Sequence, residues 1–275
     1  RYTARRAGKI MQPLFDTHAH YNDSRFASEY EGGAERLLRT LFASDVKYIV
    51  NVGTNYHTSE EVIAQAAQYE GMYAAVGIHP TDSRDCTDID AEMERLEQLL
   101  REHRAKKIVA VGEIGFDYYW KPIFREQQAE YFRRQMELAE KYGLPVSIHD
   151  RDAHGDTVDM IRAFPGVTGI LHSCSVSAET VRDVCRTGKW YVSFSGTVTF
   201  KNAVRVREAA AAVPEDRLLV ETDCPYLAPH PHRGELNHSG LMHYTVETLA
   251  NVKGLSLEKM REILFENAKR VFHLQ

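Results

Sequence analysis

Eight times along the chain, a short β-branched or apolar run is followed by a longer stretch with helical spacing. The runs are Leu14–Thr17, Tyr48–Gly53, Tyr73–Ile78, Ile108–Val111, Val146–Ile148, Val167–Leu171, Tyr191–Phe194 and Leu218–Val220. Between them lie helical stretches such as Ser59–Tyr69 and Met93–His103. The longest carries the stripe Phe124, Tyr131, Phe132, Leu138, Ala139 and Tyr142, and stops at Gly143 with Pro145 just beyond. Two further helices, Met242–Val252 and Leu257–Phe272, close the chain, the second behind Ser256 as N-cap. Strands that alternate with helices over short connections pair in parallel and are covered on both faces. Eight such units predict an α/β fold, a TIM-type (β/α)8 barrel, in a single domain. The rival, an open doubly wound sheet, usually carries a Gly-rich phosphate turn after its first strand. Here that turn reads Asp16-Thr17-His18-Ala19-His20.

The chain has 275 residues, a length that one barrel fills. The barrel is expected over 11–275, with residues 1–10 outside it as an expression remnant or a native extension. That basic opening has no apolar run behind it, so it does not read as a signal peptide. No apolar run approaches the roughly 18 residues that span a bilayer. Cys86, Cys174, Cys185 and Cys224 form no CxxC pair and read as reduced thiols of a cytoplasmic protein. Lys and Arg number 34 against 39 Asp and Glu, a net charge of -5. Such a chain does not coat nucleic acid by its overall field, so a polyanion has to be met at a local site or through bound cations.

The residues that carry chemistry sit at strand ends. In a strand, residues i and i+2 face the same side, so His18 and His20 can present two imidazoles to one point. Further ligand types recur at the ends of later runs: Glu113, His149, His172 and Asp223. In a barrel these positions ring one rim, where active sites of this architecture lie. Four imidazoles and two carboxylates exceed the needs of one divalent ion and suit two, bridged by a carboxylate.

The ordered motifs carry a resemblance. They are Phe15-Asp16-Thr17-His18-Ala19-His20, Gly77-Ile78-His79-Pro80, the segment from Gly112 to Tyr118, and the segment from Gln127 to Phe132. Then follow Ile148-His149-Asp150-Arg151, Glu221 to Leu227, Arg233 to Asn237, and Asn267 to Phe272. In these the chain resembles the TatD family of metal-dependent deoxyribonucleases, within the amidohydrolase-like hydrolases. The resemblance implies that His18, His20, Glu113, His149, His172 and Asp223 hold two divalent ions, with Mg, Mn, Zn or Ni all compatible with the donors. It also implies 3′-to-5′ exonuclease action on DNA, with single-stranded ends as substrate.

In this reading Glu113 bridges the ions and Asp223 is the general base. One division these residues allow puts His18 and His20 on one ion and His149 and His172 on the other, with other divisions left open. Arg151 and Arg233 are the favoured phosphate contacts among Lys121, Arg125, Arg151, Lys201 and Arg233. Tyr118, Tyr119 and Trp120 form an aromatic trio fit to stack on bases, His79 lines the pocket, and Glu221 orients a ligand. His57, His103, His243 and His273 fall on helical stretches and are expected to be exposed. DNA is the expected partner, with neither a membrane nor an obligate protein partner. Two other functions remain open at this point: a small-molecule amidohydrolase or lactonase on the same metal frame, and a catalytically silent scaffold.

Overall fold

The computed structural model describes residues 12–85, 87–103 and 107–275; the expected extension 1–10 and Cys86 lie outside them. The strands are β1 (Leu14–Ala19), β2 (Val46–Val52), β3 (Met72–Val76), β4 (Ile108–Asp117), β5 (Val146–Arg151), β6 (Gly169–Leu171), β7 (Trp190–Phe194) and β8 (Leu218–Val220). They form one parallel sheet in chain order, β1 to β8. The last strand returns to the first through the parallel bridge Ala19–Cys224 and through the Asp223 N–H, which donates to the His18 carbonyl at 2.9 Å. This is the (β/α)8 barrel that the alternation predicts.

The helices are α1 (Ser24–Glu29), α2 (Gly33–Phe42), α3 (Tyr56–Ala66), α4 (Ile89–His103), α5 (Arg125–Tyr142), α6 (His154–Ala163), α7 (Ala178–Cys185), α8 (Val204–Ala212), α9 (Met242–Lys253) and α10 (Leu257–Val271). Local chemistry sets their ends. Asn55 and Thr58 form a reciprocal capping box on α3, Ser256 caps α10, and Gly143 closes α5 in the left-handed conformation. The larger apolar cluster fills the space between strands and helices. A smaller one gathers Phe15, Val50, Val52, Ala75, Ala110, Ile170, Tyr191 and Leu219 with Phe265 of α10 and Phe272 just past its end. Each fully buried Phe or Leu contributes roughly 1.5–3 kcal/mol. No described helix is long and apolar enough to cross a membrane.

One boundary bears on function. The fourth strand runs on to Asp117 instead of stopping near Val111, so Glu113 lies inside it and not at its end. The cause is a bulge between Val111 and Ile114, after which pairing resumes as Gly115 with His149 and Asp117 with Arg151. Gly115 makes this possible. Its φ is 138°, and a Cβ there would stand 2.0 Å from the His149 carbonyl oxygen.

Candidate metal centre

Glu113 is the hub of the rim. Its Oε1 lies 2.8 Å from His172 Nε2, 2.9 Å from His149 Nδ1 and 3.5 Å from His79 Nε2. Its Oε2 lies 3.3 Å from His18 Nε2 and 3.6 Å from His20 Nε2. Asp223 Oδ1 stands 3.4 Å from His20 Nε2 and 3.8 Å from His18 Nε2. All six residues read from the strand ends therefore meet at one place, with His79 beside them.

The imidazoles are turned inward by partners on their far sides. His20 Nδ1 donates to the Val52 carbonyl at 2.8 Å, His149 Nε2 to Asp117 Oδ2 at 3.0 Å, and His172 Nδ1 to Glu221 Oε1 at 3.1 Å. His18 Nδ1 meets Ser147 Oγ at 3.1 Å. Carbonyls and carboxylates only accept, so each of those first three rings, when neutral, faces Glu113 with a lone pair. Neutral imidazoles and carboxylates converging in this way need positive charge between them, a proton or a cation, and this donor set fits divalent ions. Glu221 Oε2, buried without a hydrogen-bond partner, adds to that demand. Ligand atoms of His18, His20 and Asp223 lie within 4.8 Å of one another, as do those of His79, Glu113 and His149.

His79 differs from the others in one respect. Its Nδ1 accepts the Thr81 backbone N–H at 3.1 Å, so the neutral ring carries its proton on Nε2 and points a donor into the centre. We therefore place it apart from the ligands, although its ring nitrogen is close enough to count among them.

In the metal-free protein, protons take up part of the missing positive charge. Burial pulls the His149 pKa down, but its hydrogen bonds to Asp117 and Glu113 outweigh this and raise it to about 9. Burial likewise opposes protonation of His172, and the Glu113 and Glu221 charges overcome it. Burial raises Glu113, yet the imidazoles of His172 and His79 hold it well below its usual range. The folded His149 value lies above the unfolded 6.5, so its contribution is complete below pH 6.5 and is lost as pH rises toward 9. Thermal melts of chelator-treated protein are expected to show stability falling across that window, while ion-loaded protein does not follow. Calorimetry in buffers of different ionisation enthalpy is expected to record proton release on metal binding at neutral pH. Parallel pH profiles with and without metal would contradict the assignment.

A buried network sets the position of Asp223. Asp16 accepts the Thr222 hydroxyl at 2.6 Å, the Ser239 hydroxyl at 2.7 Å and the Thr222 N–H at 3.0 Å. Burial pushes the Asp16 pKa up to about 6 against these hydrogen bonds. Asp16, Asp117 and Ser147 are outer partners that reading the sequence did not single out. Asp16 and Asp117 do lie within the quoted motifs.

Other expectations change. Tyr118 is no stacking surface: its ring is buried, its hydroxyl donates to Asp156, and the Arg125 guanidinium lies 4.4 Å from the ring centroid. Tyr119 and Trp120 are the exposed members of the trio. Lys121 bonds the Tyr118 carbonyl. His103 and His243 are half-buried, unlike the exposed His57 and His273. Cys174, Cys185 and Cys224 are buried free thiols.

An eight-stranded α/β barrel with a histidine–carboxylate metal centre at its rim defines a metal-dependent hydrolase. The sequence profile of the family described as TatD related DNase matches residues 15–273. The chain belongs to that family. It is similar to YabD, an uncharacterized metal-dependent hydrolase of Bacillus subtilis, with 40% identity over 95% of this chain and 99% of that protein. It is also similar to YcfH, an uncharacterized metal-dependent hydrolase of Escherichia coli K12, with 34% identity over 95% and 96%. Among solved structures, YJJV, a TatD homologue of Escherichia coli K12, matches with a TM-score of 0.85 at 27% identity, covering 95% of this chain and 98% of that one.

Proposed function

We propose that the protein is a divalent-metal-dependent deoxyribonuclease that removes nucleotides from single-stranded 3′ ends in DNA repair or turnover. The observation that carries this reading is the set of neutral-imidazole lone pairs turned inward around Glu113. His18, His20, Glu113, His149, His172 and Asp223 would hold two ions. Bound there, the ions acidify water and neutralise charge on a phosphodiester.

The chain's own groups do the rest. Asp223, whose carboxylate is kept ionised against burial by its hydrogen bond to His20 and the nearby His172, accepts the proton of the attacking water. His79 donates from Nε2 to a phosphate oxygen as charge builds on it. Arg151 and Arg233 contact the phosphates on either side. Tyr118 supports this wall through Asp156 rather than touching substrate. The free thiols suit a reducing, cytoplasmic setting.

Strands labelled at either end should be tested beside a lactone and amide panel, with Mg, Mn, Ni or Zn added to chelator-treated protein. Shortening from the 3′ end that depends on metal is the expected result. Hydrolysis of the panel with DNA untouched would transfer the assignment to a small-molecule amidohydrolase or lactonase. Inertness toward both would leave the scaffold reading.

A further inference from the structure

Two glutamines of α5, Gln128 and Gln135, are buried to 5% and 0% exposure. Their i, i+7 spacing puts both on one face of the helix. Each amide grips the backbone of a single residue at two points. Gln128 Nε2 donates to the Asp117 carbonyl at 3.0 Å, and its Oε1 accepts the Asp117 N–H at 3.0 Å. Gln135 Nε2 donates to the Ile78 carbonyl at 3.1 Å, and its Oε1 accepts the Ile78 N–H at 2.7 Å. A primary amide carries a donor and an acceptor side by side, as a peptide group does. Turned over, each would set donor against donor and acceptor against acceptor, so only one orientation fits.

The bulge in β4 explains why side chains are used here. The ladder between β3 and β4 runs from Ala74 with Ile108 to Val76 with Val111, where β3 ends. On its other side β4 stays bonded to β5, with the Tyr118 N–H donating to the Arg151 carbonyl at 2.9 Å. Backbone groups alternate in direction along a strand, so those of Asp117 face the side that β3 has left. An amide from α5 takes the place of the missing strand at Asp117, and a second does so at Ile78. Without them, buried N–H and carbonyl groups would stand unpaired.

Both gripped residues adjoin the metal centre. Asp117 Oδ2 aims His149 Nε2 at 3.0 Å. Ile78 immediately precedes His79, whose Nε2 lies 3.5 Å from Glu113 Oε1. We propose that α5 is the positioning element of the centre: Gln128 fixes Asp117 and through it His149, and Gln135 fixes His79. The first half rests on the metal site alone, and the second on the reading of His79 as a donor during turnover. Neither glutamine touches substrate or ion, and the residues they hold predict separate effects, one on metal affinity and one on turnover.

Methionine has nearly the length of glutamine without its hydrogen bonds, so Gln128→Met and Gln135→Met keep the packing. Metal affinity is read by titrating chelator-treated protein with Mn or Zn against a chromophoric chelator. Turnover is read at saturating metal on a single-stranded oligonucleotide, or on any lactone or amide that the wild type hydrolyses. Gln128→Met is expected to weaken metal binding about tenfold and to regain kcat to within about twofold at saturating metal. Gln135→Met is expected to bind metal within about twofold of the wild type, and to lower kcat about tenfold with KM nearly unchanged. Asn267→Ala is the structural control. Its side chain donates to the Glu215 and Leu218 carbonyls at the start of β8, so its loss lowers the melting temperature and spares both readouts. Should a methionine variant not fold, Gln128→Glu and Gln135→Glu are read in the same way, since they keep the acceptor and lose the donor. Variants that only melt earlier, as Asn267→Ala does, overturn the proposal, and so does joint loss of metal and turnover in both. A wild type that hydrolyses lactones or amides and no DNA overturns the deoxyribonuclease reading alone. One that hydrolyses nothing overturns the Gln135 half with it, while the metal titration still decides the Gln128 half.

Discussion

Glu113→Ala is expected to lower activity by more than about a thousandfold and to strip most bound metal, read together by turnover and elemental analysis. The expectation rests on the position of this carboxylate among five imidazoles, its two oxygens facing different subsets of them. Removing it leaves those rings without the central negative charge that any cation placed there would share. In the metal-free protein the substitution also removes a partner that raises the His149 and His172 pKa values, so both titrate lower. Imidazole titration by NMR checks that shift independently of turnover. Glu113→Gln separates charge from volume: it keeps the side chain's shape and is expected to lose metal nearly as completely. If either variant retains metal and turnover, Glu113 is not the hub.

The sequence shows the candidate ligands more clearly than the partners that aim them. These residues follow strand ends, and the two-residue period alone places His18 and His20 on one side of β1. Asp117, Ser147 and the Val52 carbonyl act across strands, so they become visible only once the register between neighbours is known. The end of β4 was misplaced for a related reason. The β-branched run stops at Val111, yet the bulge after it, with Gly115 just beyond, lets pairing continue into the site. The aromatic trio shows the limit within loops. Three consecutive rings look equivalent in the sequence, but the turn held by the Asp117 carboxylate exposes Tyr119 and Trp120 while Tyr118 folds inward toward Asp156. The apolar runs gave the barrel itself because burial on both strand faces imprints directly on composition.

Asp223→Asn is expected to reduce kcat by about a hundred- to ten-thousandfold and to leave the fold intact. The substitution is well chosen for this position because Asp223 has a φ of 56°, a left-handed conformation that asparagine tolerates as readily as aspartate. The backbone contacts that hold the residue survive: its N–H still donates to the His18 carbonyl, and its carbonyl still accepts from the Tyr226 N–H at 3.0 Å. Only the charge and one acceptor oxygen are lost, so thermal stability of the metal-free protein is expected to move little. Asp223→Ala, by contrast, forces a side chain without a polar tip into the same strained backbone, and its loss of activity would not separate chemistry from folding. The pH profile carries the discriminating information. Burial raises the Asp223 pKa, and hydrogen bonding to His20 with the nearby His172 lowers it below 3.8, so the wild-type carboxylate stays ionised through the neutral range. A proton acceptor lost outright therefore appears as a uniform drop in kcat across that range, with KM for the oligonucleotide nearly unchanged. A variant that binds metal less tightly but turns over normally at saturating metal would show instead that Asp223 serves the ion alone, and the proton would then have to leave through another group facing Glu113.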